Sequence, residues 1–251
     1  METQFSLPLQ YDLAAVFLFA LTGSLIALKR GYDPIGVSII TIISGTGGGI
    51  IRDAVFLNIE PSVVKDWRYS AVLLAAIGFV LLGRSILQTR PIAFIIMATE
   101  ALGIGINSVY GSGRALGANT SIYAAIIIGL INAVGGRIMR DTVMGKKRKS
   151  LVPSRMYGVA SFISIVVFLT MSQEFEISTI ICAWTAIFCA FAIRMVAIKF
   201  DIKTKALVDY YDPSAALIHV VSDHVTPHLP TLTRWKLNKR NRRSNEDKPL
   251  E

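Results

Sequence analysis

The sequence predicts an all-α membrane protein with seven transmembrane helices, six of which form two copies of a three-helix unit inserted in opposite orientations. Three observations support this prediction. The chain of 251 residues is 53% hydrophobic and only 17% charged. Its apolar residues fall into seven long stretches, and one residue pattern recurs at an offset of 88, as from Gly47 to Gly135. A chain this apolar cannot place all its side chains in one water-soluble core.

The seven apolar stretches are each long enough to cross about 30 Å of hydrocarbon. They run from Tyr11 to Leu28, Ile35 to Leu57, Tyr69 to Leu87, Pro91 to Tyr110, Ser121 to Met144, Met156 to Ser172 and Ile177 to Ile198. Residues 71–82 and 122–131 are apolar all round, whereas a long helix of a soluble core keeps a polar face. Lipid or other membrane helices must therefore surround them.

The basic residues indicate how the helices are oriented. The net charge is +9, and most Lys and Arg residues follow the odd-numbered stretches or lie in the tail after Ile198. Because cytoplasmic loops carry the excess of Lys and Arg, we expect the N-terminus outside and the C-terminus inside the cytoplasmic membrane. This placement argues against nucleic acid as a partner. The first stretch lacks the features of a cleaved signal peptide, so we expect it to remain as the first helix.

An internal repeat organises the first six stretches. An offset of 88 aligns the pairs Gly47-Gly48 and Arg52-Asp53 with Gly135-Gly136 and Arg140-Asp141, and it aligns Asp12 with Glu100. Three stretches lie between equivalent positions, so the second copy must enter the membrane from the opposite side. Inverted repeats are typical of transport proteins and place the site near mid-membrane, between the copies. The predicted units are 8–90 and 91–173 for the two copies, 174–198 for the seventh helix and 199–251 for a basic cytoplasmic tail.

Glycines interrupt the second and fifth apolar stretches. The predicted kink residues are Gly47, Gly48, Gly49, Gly135 and Gly136. Each glycine weakens a helix by roughly 1 kcal/mol relative to alanine, so we expect both helices to be broken there. Irregular backbone at this depth must be buried in protein or line water, which predicts a pore or substrate cavity. A Leu at Gly48 or Gly136 should then block flux without preventing assembly. The alternative is that the glycines only allow close helix packing.

Charged residues follow one turn after the glycines. They are Arg52, Asp53, Arg140 and Asp141. A charge at the bilayer centre costs about 2.5 to 3.5 kcal/mol, so these groups need partners. We expect Arg52 near Asp141 and Arg140 near Asp53, which would hold the two copies together. Alternatively the charges line or gate the conduit, and both interpretations can hold at once.

Further polar residues near the glycines are candidates for the lining of a conduit. Asp12 and Glu100 can attract cations to a vestibule, although capping or interfacial solvation explains them equally well. Arg137 occupies the position equivalent to Gly49 and either pairs with Glu100 or Asp141 or binds an anion or a substrate carboxylate. Arg194 is expected to extend toward the cytoplasmic interface.

The remaining candidate lining residues are Ser44, Thr46 and Asn132. The two hydroxyl groups can also bond back to helix carbonyls without any further role.

Three segments resemble the prokaryotic TRIC (trimeric intracellular cation) channels, a family also known in bacteria as glycine-transporter-like membrane domains. These segments are 19–24, 47–53 and 135–141, and the resemblance covers about residues 8–198. It implies a homotrimer in membrane lipid, with a pore in each protomer around second and fifth helices kinked at the glycines. It also implies conduction of monovalent cations, K⁺ or Na⁺, with the Arg-Asp pairs as the charges beside the kinks.

The sequence therefore favours a K⁺-permeable channel. The alternative is a secondary transporter of a small amino acid such as glycine, whose carboxylate would meet a half-helix N-terminus. A scaffold without a conduit would require the glycines and charges to be purely structural. We find no enzymatic motif, no cofactor motif and no cluster of metal ligands, and the three histidines lie in the tail at His219, His224 and His228.

Overall fold

The computed structural model describes residues 7–83, 92–145, 156–174 and 178–202, and it shows a helical bundle. The α-helices in these residues are α1 (Leu9–Lys29), α2 (Pro34–Ile50), α3 (Ser62–Lys65), α4 (Trp67–Leu82), α5 (Ile92–Gly117), α6 (Ile122–Val143), α7 (Tyr157–Glu174) and α8 (Thr179–Lys199). A π-helical segment, Ile51–Phe56, continues α2. The predicted tail beyond residue 202 and the predicted helix ends at 84–91 lie outside the described residues.

Each predicted apolar stretch corresponds to one long helix, and the short α3 is additional. Among the described residues, five helices are long and apolar enough to cross a membrane: α1, α2 with its π-helical segment, α5, α6 and α8. Helices α4 and α7 are apolar but shorter. The protein is thus an all-helical, multi-pass membrane protein.

Capping side chains set the starts of the two equivalent helices α2 and α6. Asp33 precedes α2 and accepts a hydrogen bond from the Gly36 amide at 2.8 Å. Ser121 precedes α6 and accepts one from the Ala124 amide at 3.2 Å. Asp and Ser are favoured at this position because their oxygens satisfy amides that have no partner within the helix. Both donors and both acceptors are related by the offset of 88, so the repeat extends to local structure.

Four helices form the centre of the bundle, since α1 packs on α2, α2 on α6, α6 on α5, and α5 on α1. The third helix of each copy lies against the first two: α4 packs on α1 and α2, and α7 on α5 and α6. Helix α8 packs against α5 and α7. Large apolar side chains face outward, among them Trp67 at 77% and Leu82 at 87% exposure. Such a surface suits lipid rather than water.

The prediction that the second and fifth helices are broken at the glycines is wrong. Helix α2 is α-helical from Pro34 to Ile50, through all of Gly45–Gly49, and α6 is α-helical from Ile122 to Val143. The irregularity comes after the glycines, in the π-helical segment, where the Leu57 amide donates to the Arg52 carbonyl at 3.0 Å. A preference of roughly 1 kcal/mol per glycine is small enough for tertiary packing to override.

Candidate functional site

The glycines of α2 and α6 lie where the two helices approach most closely. A Cβ atom on Gly48 would overlap the backbone oxygen of Asn132, and a Cβ on Gly136 would lie 2.5 Å from the backbone oxygen of Ser44. These contacts are reciprocal, because the offset of 88 relates Gly48 to Gly136 and Ser44 to Asn132. The close-packing alternative describes the glycines in this structure. Neither position has room for a side chain, so the structure argues against the expectation that Leu at Gly48 or Gly136 still permits assembly.

Gly49 differs from its neighbours. Among the described residues, a Cβ atom there would meet only the Nη2 atom of Arg52, at an ordinary 3.7 Å. The residue therefore faces open space rather than the partner helix. At the equivalent position of the second copy, α6 carries Arg137.

The first charge cluster consists of Asp12, Arg52, Asp53, Tyr69 and Arg114. Arg52 donates from Nε to Asp53 Oδ1 at 2.7 Å and from Nη2 to Asp53 Oδ2 at 3.1 Å. It also donates to both oxygens of Asp12, at 3.3 and 3.2 Å. The Tyr69 hydroxyl donates to Asp12 Oδ2 at 2.6 Å. Arg52, Asp53 and Asp12 are 0%, 1% and 3% exposed, so their pairing replaces water that burial removes.

Asp53 links this cluster to other elements. Its Oδ2 accepts hydrogen bonds from the Ser62 amide and hydroxyl, both at 2.9 Å, at the start of α3. Arg114 of α5 brings Nε to 3.5 Å from Asp53 Oδ1 and donates from Nη2 to the Ser62 hydroxyl at 3.2 Å. The first cluster thus receives one charge from the second copy.

The second charge cluster consists of Glu100, Arg137, Arg140, Asp141, Tyr157 and Arg194. Arg140 donates from Nε to Asp141 Oδ1 at 3.0 Å and from Nη2 to Glu100 Oε1 at 3.2 Å. Arg140 and Asp141 are each 1% exposed. This arrangement repeats the contacts of Arg52 with Asp53 and Asp12, because Glu100 is equivalent to Asp12.

Arg137 lies beside this pair and contacts both acids. Its Nη1 is 3.6 Å from Glu100 Oε2 and its Nε is 3.7 Å from Asp141 Oδ2. Its guanidinium carbon lies 4.4 Å from the centre of the Tyr157 ring, within the range of a cation–π interaction. Arg137 therefore pairs with both of the acids that the sequence suggests for it.

Two predictions about partners are wrong. Arg52 and Arg140 do not pair with acids of the opposite copy as expected; each binds the next residue in its own helix and the acid of the first helix of its own copy. Asp12 and Glu100 accordingly serve as buried ion-pair partners. Arg194 does not extend to the interface, because its side chain is 5% exposed and its Nη2 lies 3.9 Å from Glu100 Oε2. Helix α8 packs on α5, which brings this arginine inward.

The predicted lining residues Ser44 and Asn132 make equivalent hydrogen bonds. Ser44 donates to the Phe19 carbonyl at 2.8 Å, and Asn132 donates to the Asn107 carbonyl at 2.8 Å, each from the second helix of a copy to the first. Asn132 Oδ1 also accepts from Arg52 Nη1 at 3.5 Å. The Thr46 hydroxyl bonds back to a carbonyl of its own helix at 2.7 Å.

Sequence reasoning missed three members of the clusters, Tyr69, Tyr157 and Arg114. The two tyrosines are separated by the same offset of 88, so the repeat alignment could have found them. Both lie near the start of the third helix of a copy and contact the charged residues. Arg114 has no counterpart at that offset, and only the packing of α5 brings it to Asp53.

Two cavities that share the lining residues Ser62 and Tyr69 adjoin the first cluster. The inner cavity, of about 10 Å³, is lined by Asp12, Val16, Gly45, Thr46, Gly49, Arg52, Asp53, Ser62, Val63, Tyr69 and Asn107. The outer pocket, of about 640 Å³, lies between the start of α1 and the α3–α4 region and shares Ser62 and Tyr69 with the inner cavity. The inner cavity has room for about one water molecule or an ion of similar size.

The described helical bundle has the fold of the solved TRIC channels. The chain aligns with the TRIC trimeric intracellular cation channel orthologue from Rhodobacter sphaeroides with a TM-score of 0.71 at 23% identity, covering 77% of this chain and 98% of that one. It aligns with a prokaryotic TRIC channel in 0.5 M KCl with a TM-score of 0.67 at 24% identity, covering 78% and 97%. The resemblance seen in the sequence is confirmed at the level of the fold.

The family model described as Glycine transporter matches residues 9–85 and 97–173, two segments offset by the same 88 residues. The chain belongs to this family. It is 26% identical over 193 residues to the UPF0126 inner membrane protein YadS of Escherichia coli K12, covering 76% of this chain and 92% of that protein. A UPF0126 membrane protein of Vibrio cholerae is 28% identical over 206 residues, covering 80% and 84%.

Proposed function

We propose that the protein is a channel for monovalent cations, K⁺ in particular, with one conduit in each protomer of a homotrimer in the cytoplasmic membrane. The inner cavity is the observation that carries this proposal. Oxygen-bearing side chains of Asp12, Thr46 and Asn107 border a space the size of one ion beside the glycines of α2. Oxygen atoms replace the hydration shell of a cation in known filters. We place the entrance of the proposed conduit at the outer pocket, because it shares Ser62 and Tyr69 with the inner cavity.

The proposed conduit continues from the inner cavity along the contact between α2 and α6 to the second charge cluster. The contact at Gly48 and Gly136 leaves no space for an ion, so this conformation is closed. Opening then requires α2 and α6 to separate. With the N-terminus outside, as the basic residues indicate, the first cluster lies in the outer half of the membrane and the second in the cytoplasmic half.

A transporter of glycine is the second candidate, because the family description names that activity. Two features of the structure favour the channel. The α2 and α6 helices are continuous at the glycines, so they present no half-helix N-terminus to a carboxylate. Arg137, the other candidate carboxylate contact, already lies beside Glu100 and Asp141. The solved proteins that share the fold include cation channels.

Purified protein in planar bilayers under a KCl gradient separates the two candidates. We expect discrete openings that reverse near the K⁺ potential and do not respond to added glycine. Silent bilayers together with saturable glycine uptake into liposomes would instead establish the transporter.

A pair of matched variants tests where the conduit lies. Gly49→Leu places a side chain in the inner cavity and should reduce the unitary current. Gly78→Leu adds the same side chain on α4, where a Cβ atom has nothing within 4 Å, and should leave the current unchanged. Equal currents in the two variants would refute the proposed position of the conduit.

A further inference from the structure

The two copies differ at one position of the proposed conduit. Gly49 lines the inner cavity of the first copy, and in the described part of the chain only Arg52 Nη2 lies within 4 Å of the place where a Cβ atom would be. The second copy has Arg137 at this position. A long cationic side chain therefore stands where the first copy leaves open space.

The surroundings of the two positions are equivalent. Asp12, Asp53 and Tyr69 line the inner cavity beside Gly49. Their counterparts at the offset of 88 are Glu100, Asp141 and Tyr157, and all three contact the Arg137 guanidinium. The guanidinium thus lies among the second-copy equivalents of the groups that border the inner cavity.

We propose that Arg137 is a tethered cation that fills the second copy's counterpart of the inner cavity and forms the barrier that limits cation flow. The inference rests on the proposed function, since it concerns the same conduit. The guanidinium opposes a permeating cation by occupying its space and by like-charge repulsion. The barrier lies in only one half of the conduit, so it makes the current depend on the direction of flow.

The contacts of Arg137 suit a side chain that can be displaced. Its two ion-pair distances, 3.6 and 3.7 Å, exceed those of Arg140, at 3.0 and 3.2 Å, and of Arg52, at 2.7 and 3.2 Å. Its buried Nε has no hydrogen-bond partner among the residues that the structure describes. An arriving cation competes for Glu100 and Asp141, while Arg140 continues to hold both acids. Arg137 can therefore swing aside without dismantling the cluster.

Single-channel recording of charge variants tests the inference. Arg137→Gln keeps much of the side-chain volume and removes the charge, Arg137→Gly restores the residue of the first copy, and Arg137→Lys keeps the charge. At low symmetric KCl we expect a wild-type current that differs between the two voltage signs. The Gln and Gly variants should raise the unitary conductance by roughly threefold or more and make the current symmetric, while Lys should stay near wild type.

Two controls complete the design. Lys29→Gln removes an exposed positive charge at the end of α1 and should leave the conductance unchanged, which separates a local barrier from general surface charge. A higher salt concentration should reduce the effect of exposed charges on the conductance more than the effect of Arg137, whose side chain is only 19% exposed.

The outcomes distinguish this inference from the proposed function. A conducting wild-type protein whose conductance and voltage symmetry are unchanged in both the Gln and the Gly variant would overturn the role of Arg137 and leave the channel intact. A wild-type protein that conducts no cations would overturn the proposed function itself. Should Arg137→Gln fail to assemble, Arg137→Gly gives the same test, because Arg140 still pairs with Glu100 and Asp141.

Discussion

The buried pair of Asp12 and Arg52 gives the sharpest test of how the charges are arranged. The two side chains are 4% and 1% exposed and share two hydrogen bonds of 3.2 and 3.3 Å. Removing one partner of a buried pair costs about 3 to 5 kcal/mol. The cost of Asp12→Asn should lie near the lower limit of this range, because Arg52 still pairs with Asp53. Arg52→Gln should cost at least as much, because Asp12 is then left with the Tyr69 hydroxyl. The double variant should be less destabilised than the sum of the singles by about 1.5 to 3 kcal/mol.

The free energy of unfolding in mixed micelles, from an SDS titration followed by circular dichroism, measures this coupling. The control is a second cycle with Arg52→Gln and Asp141→Asn, residues of different clusters that should add to within about 0.5 kcal/mol. Additive effects for Asp12 and Arg52 would refute the pairing within a copy. Strong coupling between Arg52 and Asp141 in the control cycle would instead support pairing across the copies.

The same titration tests two further contacts. Gly48→Ala should destabilise the protein by about 1 to 3 kcal/mol, because its methyl group meets the Asn132 carbonyl. Gly49→Ala should be neutral or stabilise the protein by up to about 1 kcal/mol. Equal effects of the two variants would contradict the close helix contact. Tyr69→Phe should cost about 1.5 to 3 kcal/mol, because it removes a 2.6 Å hydrogen bond to a carboxylate. Tyr157→Phe should cost less, because the Tyr157 hydroxyl lies 3.4 Å from a carbonyl oxygen. A larger cost for Tyr157→Phe than for Tyr69→Phe would refute this ranking.

The helices could be predicted from the sequence because long apolar runs are a strong signal in a membrane protein. The first predicted stretch, Tyr11 to Leu28, is the helix Leu9–Lys29, and the fifth, Ser121 to Met144, is the helix Ile122–Val143. The membrane requires every backbone group in it to be hydrogen-bonded, which leaves few alternatives to a helix. Hydropathy gives the ends of these two segments to within about two residues. The predicted end of the fourth stretch at Tyr110 is wrong, because the helix α5 continues to Gly117.

The backbone conformation at the glycines could not be predicted from the sequence, because a run of glycines has two physical consequences. It weakens a helix, and it removes the side chains that keep two helices apart. Which consequence prevails depends on what lies opposite, and the sequence does not say that Gly48 faces the backbone of Asn132. Because these two residues are in contact, the glycines serve close helix packing rather than a helix break.

The charge partners were partly visible in the sequence. Asp12 and Glu100 were known to be equivalent, as were the two Arg-Asp pairs, but equivalence does not tell whether partners lie within a copy or across copies. The antiparallel packing of α1 on α2, and of α5 on α6, brings the acid of each first helix to the arginine of the second. The position of Arg194 could not be predicted, because α8 lies outside the repeat and no equivalent residue indicates where it packs.

The charged residues make shorter contacts within each copy than between the two copies. Hydrogen bonds of 2.7 to 3.3 Å hold Arg52 to Asp12 and Asp53, and bonds of 3.0 and 3.2 Å hold Arg140 within the second copy. Across the copies, Asp53 and Arg52 reach Arg114 and Asn132 only at 3.5 Å, with glycine contacts beside them. Separating α2 from α6 therefore disturbs weak contacts and leaves the strongest charge pairs intact. The conduit proposed along this contact can open without exposing an unpaired charge to the membrane. The pairing across copies that was expected from the sequence would have prevented this.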